Sequence, residues 1–210
     1  AGQMLPVWNQ PFLFWVTIAA VMQIIFTVTL VMLFSHRSFA AGTAFSKTEV
    51  IQAAIFEALI IGFVVSFQVG LAIVIGVIAV FFLSLAKSSL TFGNLVRSLL
   101  TRQTAIGLAS GASLGFCTVA YRVATDSLAG ADLMMRASLS GGVSVLIQTV
   151  LLGGFMWLRT RDQLIATFVE WRASLIVGLS GAVATVCWFY AFSAHAVAPV
   201  RAVGQIELLF

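Results

Sequence analysis

Residues 40–62 read AAGTAFSKTEVIQAAIFEALIIG, an apolar run with Lys47-Thr48-Glu49 near its middle. The run matches the length of about 20 residues that a helix needs to cross a bilayer. An ionised side chain at the centre of such a helix costs about 2.5–3.5 kcal/mol on insertion scales. Lys47 and Glu49 are therefore expected to face protein or water rather than lipid, and residues in that position are by default functional.

The composition of the whole chain is typical of a membrane protein. Of its 210 residues, 61% are hydrophobic and 9% are charged, and the mean hydropathy is +1.10. Soluble domains carry about 25% charged residues. The net charge of +4 comes from basic residues that mostly flank apolar runs, which argues against a nucleic-acid partner. With only two cysteines and two histidines, the sequence predicts no metal site, no disulfide framework and no cofactor.

The apolar pattern predicts an all-α fold, a polytopic bundle of transmembrane helices. Six segments are long enough to span a bilayer, and part of a seventh begins near Pro199. The six segments are residues 11–34, 40–62, 64–85, 104–124, 137–158 and 173–194. Two more polar stretches, residues 90–102 and 159–172, have apolar residues on one helical face. They are interpreted either as helices lying in the membrane interface or as loops.

Residues 33–49 and 191–207 resemble each other. Aligned without gaps, they match at the pairs Phe34/Phe192, Ser35/Ser193, Ala40/Ala198, Ala44/Ala202 and Glu49/Glu207. The glutamates are the most informative pair, because acidic residues are rare in this chain. The copies lie in the second and seventh predicted segments, so the odd offset gives them opposite directions across the membrane. Such an inverted repeat is found in many secondary transporters, with sites near the membrane midplane. The alternative is two helices of similar composition.

Lys47 and Glu49 point about 200° apart on a helix, so each needs a partner on another element. Thr43 lies one turn before Lys47, and Gln52 lies one turn after Glu49. If the repeat is real, Glu49 and Glu207 are equivalent about a pseudo-two-fold axis, and Lys47 is expected to bridge to Glu207. The functional hypothesis is a cavity that binds a zwitterion or another polar solute, with a carboxylate available for proton coupling. The structural hypothesis is a buried ion pair that fixes two helices.

Polar and aromatic residues near the ends of other predicted spans are further candidates. Tyr121 and Arg122 end the fourth segment, where an arginine either snorkels to the interface or binds an anion at a cavity mouth. Trp188 and Tyr190 lie late in the sixth segment and suit either an aromatic belt and packing or a solute path. Gln148, the only amide side chain of the fifth segment, is expected to bond a neighbouring helix.

Glycines repeat at four-residue spacing in the fourth segment, at Gly107, Gly111 and Gly115. This stripe allows another helix to approach closely, and a backbone-lined solute path is the alternative. The stretch Gly107-Leu-Ala-Ser110-Gly111 is one residue too long for the Gly-x-Ser-Gly motif of intramembrane proteases. Since the chain also has no paired-aspartate motif and no Walker-type loop, the sequence predicts that the protein is not an enzyme.

Three stretches resemble EamA-type members of the drug/metabolite transporter superfamily. They are FAAGTAFSKTEVIQAAIF followed by VGLAIVIGVIAVFFLS, then GLASGASLGFCTVAYRVA, and finally GLSGAVATVCWFYAFSAHAVAPVRAVGQIELLF. The resemblance implies ten helices in two inverted repeats of five. It assigns residues 1–85 to the end of the first repeat, 86–103 to a linker or interfacial helix, and 104–210 to the start of the second repeat. The chain is then expected to be an internal fragment. It departs from the family at Gly62-Phe63, where many members have an acidic residue.

The resemblance further implies a carrier, often an exporter, of small organic solutes such as amino acids or metabolites. Such a carrier works by alternating access in a bacterial inner membrane, with the bilayer and the solute as its partners. The family's fourth and ninth helices border the central cavity. The complete predicted cavity set is Thr43, Lys47, Glu49, Gln52, Tyr121, Arg122, Trp188, Tyr190, Arg201, Gln205 and Glu207. The alternative is a non-transporting membrane scaffold or an intramembrane enzyme subunit with a structural Lys/Glu pair.

Overall fold

A computed structural model describes residues 6–34, 45–86 and 101–206. In this part of the chain all regular structure is helical, as predicted, and no strand is present. The eight helices are α1 (Gln10–Phe34), α2 (Glu49–Ile60), α3 (Phe67–Ala86), α4 (Arg102–Asp126), α5 (Leu133–Arg159), α6 (Arg161–Val169), α7 (Trp171–Ala194) and α8 (Val197–Gly204).

Four of these helices are long and apolar enough to cross a membrane. They are α1, α4, α5 and α7, with 24 to 27 residues each. At about 1.5 Å per residue, such helices exceed the hydrocarbon thickness of about 30 Å. They cover the first, fourth, fifth and sixth predicted segments, so four of the six predicted spans are confirmed as long apolar helices.

The second predicted segment differs from a continuous helix over residues 40–62. In its described part, Phe45 and Ser46 are helical, Lys47 and Thr48 form a turn, and α2 begins only at Glu49. The Thr48 Oγ1 donates to the Phe45 carbonyl at 2.7 Å, a local bond that competes with the helical pattern. The 12 residues of α2 span only about 18 Å.

The third predicted segment corresponds to α3, whose apolar stretch Phe67–Val80 is shorter than a membrane span. Gly62 separates α2 from α3 and has φ +78°, a left-handed conformation that favours glycine at a helix end. Of the two polar stretches, residues 159–172 contain a helix, α6, which has no buried residue. Residues 90–100 of the other stretch lie outside the described part.

The chain divides into two compact units. The first comprises Ala1–Val21 and Tyr121–Ala194, and the second comprises Met22–Ala120 and His195–Phe210. In the first unit α5 packs along α7, and α6 contacts both helices. Many apolar side chains of α7 face outward, such as Ile176 at 68% and Val177 at 72% exposure. An apolar surface of this kind suits lipid rather than water.

In the second unit α2, α3 and α8 pack against one another. Their apolar core is formed by Val50, Ile73 and Ala198, one from each helix. Ala54 and Ala202 pack against this core from α2 and α8. The small side chains at these positions let α2 and α8 come close, and the polar contacts between these two helices form the candidate site.

Candidate functional site

One face of α2 carries two buried carboxylates. Glu49, Ala53 and Glu57 are four residues apart and therefore lie along the same side of the helix. Glu57 is 0% exposed, and Glu49 is 2% exposed. Glu49 is a predicted site residue, whereas Glu57 is not among the residues expected from the sequence. Its spacing from Glu49 on an apolar helix is the signal that could have revealed it.

Glu57 caps the N-terminus of α8. The backbone N–H of Val197 donates to Glu57 Oε1 at 2.8 Å, and that of Ala198 donates to Oε2 at 3.3 Å. The first N–H groups of a helix have no partner inside the helix, and a carboxylate near them is also favoured by the helix dipole. The next residue, Pro199, has no N–H to satisfy. One side chain of α2 thus holds the start of a helix that lies 140 residues further along the chain.

Glu49 forms an ion pair with the same helix, one turn beyond the cap. The Arg201 Nη2 donates to Glu49 Oε1, and the Arg201 side chain is only 13% exposed. Burying two ions costs several kcal/mol per ion, which their mutual attraction repays only in good geometry. The bridge predicted from Lys47 to Glu207 involves Glu207, which lies outside the described residues. The observed cation at Glu49 is Arg201, a residue that the family resemblance places at the cavity.

A third contact follows at the end of α8. The Gln205 Nε2 donates to the backbone carbonyl of Lys47 at 2.9 Å. From Glu57 to Glu49 to Lys47 the residue numbers fall, while their partners rise from Val197 to Gln205. The two helices therefore run antiparallel. We call these three contacts, made by Glu57, Glu49 and Lys47 with α8, the polar ladder.

The turn before α2 is braced by a predicted site residue. The Gln52 Nε2 donates to Thr48 Oγ1 at 2.9 Å, and Thr48 in turn bonds Phe45. Gln52 therefore supports the backbone that presents the Lys47 carbonyl. The side chain acts here on the turn rather than on α8.

Helix α4 contacts the backbone of residues 46–53 through glycines. A Cβ atom at Gly111 would lie 2.7 Å from the Ser46 carbonyl oxygen, and one at Gly115 would lie 3.0 Å from Ala53 N. A side-chain carbon at Gly111 would require the backbone to shift, and one at Gly115 would be in unusually tight contact, so glycine favours this close approach. The close helix contact predicted from the glycine stripe is confirmed at Gly111 and Gly115.

A second set of polar contacts lies in the first unit, between α4 and α5. The hydroxyl groups of Tyr121 and Ser144 are hydrogen-bonded, and Gln148 Nε2 donates to Ser144 Oγ at 2.8 Å and to the Tyr121 hydroxyl at 3.2 Å. One turn away, Thr125 donates to Ser140 Oγ at 3.0 Å. We call these five residues the neutral network. The prediction that Gln148 bonds a neighbouring helix is confirmed.

Of the other predicted residues of the first unit, Arg122 and Trp188 have local partners. Arg122 Nε lies 3.6 Å from the Asp126 carboxylate, one turn further along α4. The Trp188 ring stacks on Phe192, with centroids 5.4 Å apart, and Tyr190 is exposed.

Four of the predicted cavity residues meet at the polar ladder, and Gln52 lies beside it. The four are Lys47, Glu49, Arg201 and Gln205. Tyr121, Arg122, Trp188 and Tyr190 belong to the first unit. Thr43 and Glu207 lie outside the described residues.

Comparisons with known proteins give no further identification. No protein-family model, no curated protein and no solved structure matches this chain.

Proposed function

We propose that this chain is part of a polytopic secondary transporter that moves a small organic solute by alternating access. In this proposal the protein lies in a bacterial inner membrane and has ten helices in two inverted repeats. The chain contributes six spans and the start of a seventh. Support comes from the four long apolar helices, from the resemblance to EamA-type carriers, and above all from the polar ladder.

The Glu49–Arg201 ion pair is the observation that carries the proposal. It is buried between α2 and α8, in a chain with only 9% charged residues. Ionised groups inside a membrane protein are costly, and those that persist usually mark a substrate or ion pathway.

The helices around the ion pair are interrupted, which also supports transport. A turn at Lys47-Thr48 precedes α2, and α8 gives way to a 3₁₀ turn at Gln205 and Ile206. Transporters commonly bind solutes where spanning helices are broken, because helix ends and unwound carbonyl groups can then coordinate polar groups. In the ladder the N-terminus of α8 is bonded to the Glu57 side chain, and the Lys47 carbonyl is bonded to the Gln205 side chain.

The chemistry of the pair favours a zwitterionic solute such as an amino acid. A solute carboxylate matches the two parallel N–H groups of the Arg201 guanidinium, and a solute ammonium matches Glu49. A zwitterion that enters between them replaces each charge with one of the same sign. Neither protein ion is then left buried without a counter-charge.

Amino-acid uptake into proteoliposomes tests the proposal. The full-length protein would be compared with Glu49→Gln and Arg201→Gln, using radiolabelled amino acids one at a time. We expect uptake by the natural protein and at least a tenfold loss in both variants, at equal amounts of folded protein. Asp162→Asn and Arg172→Gln, at exposed positions, are the matched controls. Uptake that is unaffected by both ladder substitutions would rule out a transport role for the ion pair.

The second candidate is a membrane scaffold or enzyme subunit in which the charges only fix helices. The Glu57 cap and the glycine contacts favour it, because both are rigid packing features. It predicts that the natural protein moves no amino acid. It also predicts that replacing Lys47 and Glu49 lowers the yield of folded protein.

A further inference from the structure

We infer that the pseudo-two-fold axis of the inverted repeat passes between Lys47 and Gln205, and that this contact persists in both access states. The other two levels of the polar ladder are then made in one state and released in the other. The inference rests on the proposed transport function. We call the contact between Lys47 and Gln205 the pivot. The sequence pattern alone does not locate it.

One pair of residues is equivalent in the sequence repeat and also in contact in the structure. In the register that aligns Glu49 with Glu207, positions are 158 residues apart, and the equivalent of Lys47 is Gln205. The hydrogen bond from Gln205 to Lys47 joins residues with that same separation of 158. The two equivalent positions of the repeat are thus in direct contact.

The antiparallel packing of α2 and α8 makes this coincidence informative. Along the polar ladder the separation rises from 140 at Glu57 to 152 at Glu49 and 158 at Lys47. Along an antiparallel pair of helices, the number of residues that separates two facing positions in the sequence changes steadily. It therefore equals the repeat spacing of 158 residues at only one height along the helices. A two-fold axis relating two such helices passes through the level where equivalent residues face each other.

The two-fold symmetry of the repeat predicts which contacts are present in both access states. In an inverted-repeat transporter one repeat rocks against the other around a fixed site at their interface. If the two repeats are equivalent, the two access states are related by exchange of the repeat conformations. A pair of equivalent positions is carried onto itself by this exchange, and the bond from the Gln205 amide to the Lys47 carbonyl is exchanged for one from the Lys47 ammonium to the Gln205 carbonyl. A contact away from the axis is carried onto a different pair, so it is free to break when its image forms.

The ion pair is one of the contacts away from the axis. The repeat register carries Glu49 and Arg201 onto Glu207 and Thr43, two positions outside the described residues. Threonine has no charge, so the sequence offers no second guanidinium for the image. The Glu49–Arg201 pair therefore stabilises one of the two states, whereas the pivot positions have a side-chain bond to a carbonyl group available in both.

Distance measurements between paired spin labels test the pivot. Cys117 and Cys187 would be replaced by alanine in the full-length protein, and nitroxide labels would be attached to two pairs of new cysteines. Thr48→Cys with Ile206→Cys reports on the pivot. Leu59→Cys with His195→Cys reports on the Glu57 end of the ladder. Distances would be recorded in proteoliposomes, with and without an equimolar mixture of the proteinogenic amino acids. Uptake of the same amino acids would be measured on the same samples.

We expect the Thr48/Ile206 distance to change by less than about 2 Å, while the Leu59/His195 distance gains a second population shifted by about 5 Å or more. Equal changes in both pairs, or no change in either pair of a protein that takes up amino acids, would overturn the pivot and leave transport standing. Absence of uptake by the natural protein would overturn the transport proposal and the pivot with it. Phe45→Cys with Val203→Cys, which are also 158 residues apart, provides a second pivot pair if Thr48→Cys does not fold.

Discussion

The polar ladder and the neutral network both join helices through buried polar side chains, but they differ in charge and in how far apart in the sequence the joined residues lie. The ladder contains three ionisable side chains, and its contacts join residues 140 to 158 positions apart. The neutral network contains hydroxyl groups and one amide, and it joins the consecutive helices α4 and α5 across 15 to 27 positions.

This difference in charge has an energetic consequence. Neutral interhelical hydrogen bonds inside membranes contribute on average about 0.6 kcal/mol each, because their groups find other partners when the bond is lost. Ionised groups have no such substitutes in an apolar environment. A sequence that keeps Glu49 and Arg201 buried accepts a cost that neutral residues of similar volume avoid. We therefore expect the ladder to be sensitive to substitution and the network to be tolerant.

The largest effect is expected from removing the cation of the ion pair. Arg201→Met leaves Glu49 buried without its counter-charge, so the free energy of unfolding is expected to fall by about 3–5 kcal/mol. Unfolding of the full-length protein in detergent, followed by tryptophan fluorescence, measures this loss. The double variant Arg201→Met with Glu49→Leu is expected to recover most of it. An Arg201→Met protein as stable as the natural one would contradict the distinction between ladder and network.

The loss of the Glu57 cap is expected to rank second. Glu57→Leu removes two hydrogen bonds from a charged acceptor and leaves the N–H groups of Val197 and Ala198 unsatisfied, a loss of about 2–3 kcal/mol. Hydrogen exchange at these two amides is expected to accelerate before global unfolding. Glu57→Gln, which keeps one acceptor oxygen, serves as the intermediate variant. Unchanged exchange in Glu57→Leu would show that α8 starts without this cap.

A third test concerns the helix that supports the ladder. Gly111→Ala places a methyl group against the Ser46 carbonyl, and such overpacking is expected to cost about 1–3 kcal/mol. A Cβ atom at Gly142 on α5 would meet no atom within 4 Å beyond its own stretch of helix backbone. Gly142→Ala is therefore the matched control, with an expected gain of about 0.5–1 kcal/mol from reduced backbone freedom. Similar unfolding temperatures for the two variants would contradict a close helix contact at Gly111.

Much of this arrangement follows from local pattern, and the rest depends on contacts that pattern does not encode. Apolar length predicts α1, α4, α5 and α7, because a long apolar run can satisfy its backbone only as a helix. The four-residue spacing of glycines predicts the face of α4 that another helix approaches closely, because residues four apart lie on one side of a helix. The turn at Lys47-Thr48 escapes prediction, since one side-chain bond from Thr48 interrupts a pattern that otherwise continues through it.

The site itself shows the same limit. Lys47 and Glu49 stand out in the sequence because charge is rare there, and both belong to the ladder. The role of Glu57 depends on backbone amides at Val197 and Ala198, and no side-chain pattern marks such partners. The partner of Glu49 is equally hidden, because any of several cations satisfies the same spacing. The fold selects Arg201.

The smallest effect is expected in the neutral network. Tyr121→Phe removes the hydroxyl group but keeps the ring, whose centroid lies 4.1 Å from that of Phe189. Ser144 retains its bond from Gln148, so no buried group is left without a partner, and the expected loss is about 0.6 kcal/mol. A double-mutant cycle with Ser144→Ala, read by the same fluorescence assay, isolates the bond between the two hydroxyl groups. A coupling as large as that between Glu49 and Arg201 would erase the contrast between network and ladder, because a neutral contact would then hold its helices as strongly as a buried ion pair.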